Sequence, residues 1–299
     1  MNKKLFAFLA PLAIGGVMLG ASAYAAISGN SGYDVYKEAF KNTRAVQSMA
    51  PAVEVSVKDN GALLFEVASA AKFNRENRTM SGKLTVVSGD LTKTAEMYAQ
   101  DGKKVFKSSD SDVYNVFEPG QGKKHRGGKW HGDDGDRVQD IENLVDALAG
   151  DIRNFITLEN NPDGSKEVAL SLTDNQISPV VNAAASLAVK KAGDGRGHMN
   201  EKHMAFMADS GLKDKLPKLV KDIKVSSIDV DAKITKDNLI EKQVQTIVIT
   251  GVDADGKEHK LEITVEAGFT GYNSTVPDTV DLDGKQVNVI EGHKRGEDR

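Results

Sequence analysis

Two long blocks of this chain alternate apolar and polar residues with a period of two, and turn signals cut each block at intervals of about 10 to 14 residues. That pattern commits most of the molecule to half-buried antiparallel strands. In the first block Val53, Val55 and Val57 alternate with Glu54, Ser56 and Lys58, and Asp59-Asn60-Gly61 supplies a hairpin turn. Leu63, Phe65 and Val67 then point one way, continuing through Ser69 and Ala71 to Phe73. Met80, Gly82, Leu84 and Val86 follow, then Leu91, Ala95, Met97 and Ala99, then short strands at Val105-Phe106 and Val113–Phe117. The second block runs through Glu167–Leu172, Ile223–Ile234, Val244–Val252 and Leu261–Ala267, the last with Ile263 and Val265 inward. Asp255-Gly256 reads as a hairpin turn, and the residues beyond Asp281 read as a polar tail.

Between and before these blocks the period changes to that of a helix. Ser31 is placed to cap a helix that buries Tyr33, Tyr36, Ala39 and Phe40 and ends near Ser48, with Pro51 beyond it. Val138–Phe155 carries Ile141, Leu144, Val145, Leu148 and Ile152 on one face, behind Asp133, Asp134 and Asp136. Asp174 is placed to start another helix, with Ile177, Val180 and Val181 on its apolar face. Asn200–Asp222 reads as a less regular helical stretch interrupted at Pro217. The order helix, meander, helices, meander predicts an α+β fold. One large curved antiparallel sheet, an open half-barrel with strands from both ends of the chain, packs on several helices.

The N-terminus reads as an export signal. Lys3-Lys4 precede an apolar core at Leu5–Ile14, and Ala23-Tyr24-Ala25 is a small-x-small cleavage site. Because the apolar character runs on to Ile27, a retained anchor is the alternative. The expected organisation is a signal peptide or anchor over 1–25, a single domain over 26–280 and a polar C-terminal tail over 281–299. Either reading of the leader places the protein outside the cytoplasm. The net charge of −4 falls to −6 when the two leader lysines leave, which argues against a nucleic-acid binder. There is no cysteine, hence no disulfide, thiolate metal site, cysteine nucleophile or lipidated N-terminal cysteine.

On the export signal, the opening helix Tyr33–Ser48, the meander, the helix at Leu144–Ile152 and the closing Gly271–Asp278 (GYNSTVPD), the chain resembles the LolA/LolB-like carriers. These include LppX/LprG-type lipoproteins and RseB-like periplasmic sensors, and the resemblance covers Gly32 to Pro277. It implies a curved sheet cupping helices around an apolar cavity. The chain departs from the LppX type in lacking the lipid-attached cysteine, and no family ligand residue carries over individually.

Signals for other chemistry are thin. Gly193–Gly197 follows a helix instead of a strand, which removes the context of a dinucleotide loop. Asp253-x-Asp255-Gly256 and Asp281-x-Asp283-Gly284 lack the remaining ligands of a calcium loop. His125, His131, His198 and His203 lack the spacing of a zinc centre. No nucleophile elbow or placeable carboxylate pair appears, so neither catalysis nor a cofactor is expected. The basic loop Lys123, Lys124, Arg126, Lys129 and Trp130 reads as a solvated surface or as a contact for anionic headgroups.

The expected function is therefore non-catalytic binding of a lipid or other amphiphile between sheet and helices. The expected lining is Tyr36, Phe40, Phe65, Met80, Leu84, Met97, Ile141, Val145, Leu148, Ile177 and Val181. Small residues (Ala68, Ala70, Ala71, Gly82, Ala95, Ala99) leave room, and methionines, including Met207, adapt to a ligand. Ten buried methylenes would contribute about 8 kcal/mol before ordering costs. The alternative is an envelope sensor or interaction module that acts through a membrane surface or a membrane-protein partner.

Overall fold

The computed structural model describes residues 31–118, 152–179, 181–183, 185–186, 189 and 212–291. Within them the dominant element is one open, mixed sheet of 12 strands, ordered β12-β6-β5-β4-β3-β2-β1-β11-β10-β9-β8-β7. The first block supplies β1 (Ser48–Asp59), β2 (Ala62–Asn74), β3 (Thr79–Ser88), β4 (Leu91–Gln100), β5 (Lys103–Ser108) and β6 (Tyr114–Glu118). The second supplies β8 (Lys166–Thr173), β9 (Lys221–Ile234), β10 (Ile240–Val252) and β11 (Glu258–Thr270), and β7 (Ile156–Asn160) and β12 (Val287–Glu291) flank it. The blocks meet where β1 pairs antiparallel with β11, Val55 opposite Val265 and Val57 opposite Ile263. Strands from both ends of the chain thus share one sheet, as the alternation predicts.

Helix α1 (Gly32–Ala45) lies against β7–β10 and defines what we call the helix face. Ser31 Oγ accepts the Asp34 N–H at 3.2 Å and donates to Asp34 Oδ2 at 2.6 Å, which satisfies a free donor of the first turn. Gly32 is required by contact: a Cβ there would stand 2.8 Å from the Thr157 carbonyl oxygen of β7. Thr43 fixes the other end, accepting the Ile240 N–H at 2.9 Å and donating to Ala39 O at 2.7 Å. Under α1 the core contains Tyr36, Val168, Leu170, Val230, Ile234 and Ile240, each 2% exposed or less.

Several details differ from the sequence expectation. Helix α1 ends at Ala45, and β1 begins at Ser48 and carries Pro51 inside it. This is tolerated because the β1–β2 ladder skips Ala50 and Pro51. A bulge at Leu64 inverts the phase of the next residues, so Leu64 packs on the core and Leu63 is 53% exposed. Residues 152–155, expected to end a long helix, form one 3₁₀ turn, and the chain then becomes the strand β7. That strand alternates Ile156 and Leu158 with Thr157 and Glu159.

The expected helical layer is slight among the described residues. Besides α1 it comprises the 3₁₀ turn Asp174–Gln176, helical residues at 179, 181–183, 185, 186 and 189, and the single turn α2 (Leu212–Lys215). The turn at Asp174 is held by Gln176 Oε1, which accepts from Thr173 N at 2.8 Å. The leader, the loop at 120–135, the helix at 138–151 and the connector at 193–197 lie outside the described residues.

The sheet is not wholly antiparallel, and the expected polar tail contributes to it. Strand β12 pairs parallel with β6 at the far edge, Val289 opposite Val116. Residues 271–286, which join β11 to β12, reach that edge by crossing the face opposite α1. Gly271 (φ 64°) and Asn273 (φ 55°) turn the chain, and Thr275 Oγ1 donates to Gly271 O at 2.7 Å. The strap then ties to successive strands. Thr275 N donates to Ser48 Oγ of β1 and Asp278 N to Ser81 Oγ of β3, at 3.1 and 2.9 Å. Gln100 of β4 takes both backbone groups of Val280, at 2.8 and 2.9 Å. The Tyr114 N–H of β6 finally donates to Gln286 O. Beneath this strap Val105 and Val116 are each 2% exposed.

Candidate functional site

The registers place residues of distant strands in rows across the helix face. One row runs Val168, Ala232, Gln243, Ala267, Val53, Ser69, Leu84 and Ala95. The next runs Leu170, Val230, Gln245, Val265, Val55, Val67 and Val86. Both glutamines are buried in this apolar ground, at 3% and 1% exposure. Tyr36, itself 0% exposed, donates its hydroxyl to Gln243 Oε1 at 2.5 Å, and burial holds the phenol far above its ordinary pKa. Among the described residues Gln243 Nε2 and both polar atoms of Gln245 have no partner.

The expected lining residues separate into groups along this face. Tyr36, Phe40, Ile177 and Val181 belong to the large cluster that α1 covers. Phe65 packs with Val55, Val57 and Val265, against which Leu212 and Leu216 lie. Leu84 packs with Val86 and Ala95, joined by Val67, Phe106 and Leu212. Met80 lies opposite Phe73 and Met97 opposite Phe106 in register, and both methionines are partly buried. Ala71, Gly82, Ala95 and Ala99 share that face, whereas Ala68 and Ala70 have the opposite phase and lie on the far face. Ile141, Val145, Leu148 and Met207 fall outside the described residues, as do His125, His131, His198, His203 and the basic loop.

A groove of about 530 Å³ opens over β7–β10, lined by Thr157, Glu159, Glu167, Asp231, Lys233 and Lys242 among others. Those side chains have far-face phase, so the groove is charged and lies on the other side of the sheet from the expected lining. Among the described residues the apolar side chains of the helix face gather into adjoining clusters.

A second polar arrangement escaped the sequence reading. His259 of β11, 5% exposed at its side chain, lies between Asp59 of β1 and Asp253 of the β10–β11 turn. Its Nδ1 is 2.8 Å from Asp59 Oδ2 and its Nε2 is 3.1 Å from Asp253 Oδ2. Burial lowers its proton affinity, but the two carboxylates outweigh that and hold its pKa above the ordinary value. The same contact holds Asp253 below the usual carboxylate range. With both ring nitrogens engaged the imidazole ties two hairpins together and has no nitrogen left to move a substrate proton. Asp253 Oδ1 also accepts the Asp255 and Lys257 N–H groups at 2.9 Å each, the hairpin turn expected there.

The signal for the glutamines was present in phase alone. Gln243 and Gln245 occupy the same parity as Ile247 and Ile249, two polar residues where the pattern calls for apolar ones. Nothing local marks His259, whose partners are 200 and 6 residues away.

No protein-family model matches the chain, and no curated protein does so either. Solved structures give weak likenesses. An uncharacterised conserved protein from Thermus thermophilus is 8% identical, with 87% of this chain and 100% of that one covered, at a TM-score of 0.27. A LolA superfamily protein from Nitrosomonas europaea is 6% identical, with 85% and 97% covered, at 0.22. The ywiB protein from Bacillus subtilis is 7% identical, with 76% and 96% covered, at 0.16. At such TM-scores these likenesses fix neither a fold family nor a function.

Proposed function

We propose that this chain is an extracytoplasmic, non-catalytic binding protein that takes a lipid or similar amphiphile on the helix face of its sheet. The observation that carries the reading is the extent of that face. Apart from Gln243, Gln245 and Ser69 it is mainly apolar from β8 to β5, well beyond the strands that α1 covers, and Phe73, Met80, Met97 and Phe106 there are only partly buried. An apolar sheet surface of that width favours an apolar partner, since each aliphatic side chain removed from water contributes about 1.5–3 kcal/mol. Export rests on the leader at 1–25.

The test is organic extraction of the mature protein purified from an exporting host, followed by mass spectrometry. Near-stoichiometric release of one lipid class is expected. Extracts free of lipid, together with no uptake of a fluorescent fatty-acyl probe by the extracted protein, would sink the reading. A sensor that acts through a membrane-protein partner is the second reading. The mixed-charge far-face groove of Glu159, Glu167, Lys233 and Lys242 favours it.

A further inference from the structure

A primary amide that loses water and gains no partner destabilises the fold, and native interiors keep few such groups. Gln243 and Gln245 leave two amide nitrogens and one amide oxygen in that condition, one strand repeat apart on the same face of β10. Their position is as telling as their number. Gln243 is held by Tyr36 of α1, whereas Gln245 pairs in register with Val265, whose cluster lies under Leu212 and Leu216. Gln243 thus belongs to the part of the face that α1 covers, and Gln245 adjoins the cluster on which Leu212 and Leu216 lie. From Leu170 to Val86 the row of Gln245 is otherwise wholly aliphatic. An anion placed there would be buried without a counter-charge, a cost the amides alone do not offset.

We infer that Gln243 and Gln245 receive an uncharged ligand group that both donates and accepts hydrogen bonds, a hydroxyl or an amide, on the helix face of β10. The inference rests on the amphiphile reading and deepens it: the apolar rows take the chain of the ligand and the carboxamides take its neutral head. Each amide nitrogen donates to the ligand oxygen, and Gln245 Oε1 accepts the ligand O–H or N–H.

The test compares 1-monooleoylglycerol with oleate at pH 8, using the delipidated mature protein and its Gln245→Met variant. The wild type is expected to bind the monoacylglycerol at least tenfold more tightly than oleate. Q245M is expected to lose about tenfold on the monoacylglycerol and nothing on oleate, the equivalent of one lost hydrogen-bonding partner. In the wild type the Gln245 side-chain NH₂ resonances should shift on adding the monoacylglycerol, a readout that stands even if the variant folds poorly. Unchanged monoacylglycerol affinity in Q245M with unmoved resonances would mean that ordered water serves the amides, and would overturn this inference alone. Equal wild-type affinity for the two probes would also overturn it. Failure of the wild type to bind either probe would take the amphiphile reading with it.

Discussion

The half of the sheet built from β7–β10 and the half built from β2–β6 use the same period-2 alternation but are covered differently: α1 packs on the helix face of the first, while the second meets Leu212 and Leu216 on that face and the C-terminal strap on the other. Over β7–β10 the N-terminal helix α1 packs on one face, and Leu170, Val168 and Ile234 are 2% exposed or less beneath it. Over β2–β6 the C-terminal strap crosses the other face, tied through Ser81 and Gln100, and delivers β12 to the edge. On the helix face of that second half Val86 and Ala95 are 0% and 1% exposed, whereas Met80, Met97 and Phe106 are only partly buried. Alternation therefore specifies that one side of a strand is apolar. Which side is covered, and how completely, depends on where the two ends of the chain dock.

The sharpest way to break this contrast is to truncate one side chain in each half. Leu170→Ala should lower the unfolding free energy by about 2–5 kcal/mol, and Met97→Ala by clearly less, because its site is already partly exposed. Urea denaturation measures both, and equal losses would show the two halves to be covered alike. A smaller effect is expected at the join of α1 to β10. Tyr36→Phe leaves Gln243 Oε1 without its donor and should cost about 1–3 kcal/mol with no change in secondary structure.

Weaker again is the strap. Gln100→Ala removes both bonds to Val280 and should cost about 1–2 kcal/mol. Hydrogen exchange should quicken at β12 and β6 before β8 or β9, and uniform quickening would mean that the strap does not hold that edge separately.

The smallest effect sharpens the seam between the halves, where His259 ties β11 to Asp59 of β1. Its pKa is raised, so its stabilisation is complete below its ordinary 6.5 and is lost as the pH climbs through the higher folded-state value. The urea midpoint should fall over that window in the wild type and stay flatter in His259→Gln. Asp253 is held low, so its contribution is lost on the acid side, as the pH falls below its ordinary 3.8. A wild-type midpoint that rises with pH above 6.5 would contradict the assignment.

Much of the strand layout was legible because strands and hairpins are written locally. Asn60 and Gly61, with φ of 50° and 84°, make the turn that Asp59-Asn60-Gly61 promised. Ser31 caps α1 for the same local reason. Phase was less secure: one extra residue at Leu64 reversed the sides of Leu63 and Leu64, and no residue type near it announces a bulge. The burial of Tyr36, Phe65, Leu84 and Ile177 was legible too, from residue type and phase. Their division into clusters was not, because it depends on pairings between strands far apart in the chain.

By itself the sequence determined most of the hairpin turns, and that most inward-facing strand residues would be apolar. Those choices depend on backbone sterics and side-chain period within a few residues. Only the tertiary structure decided that β1 pairs with β11, that 287–291 crosses to lie parallel to β6, and that two glutamines are buried without partners. Each of these joins residues far apart in the chain, and a loop can be closed at many lengths for nearly the same entropy. The packed arrangement as a whole selects among such pairings, and no local pattern records the choice.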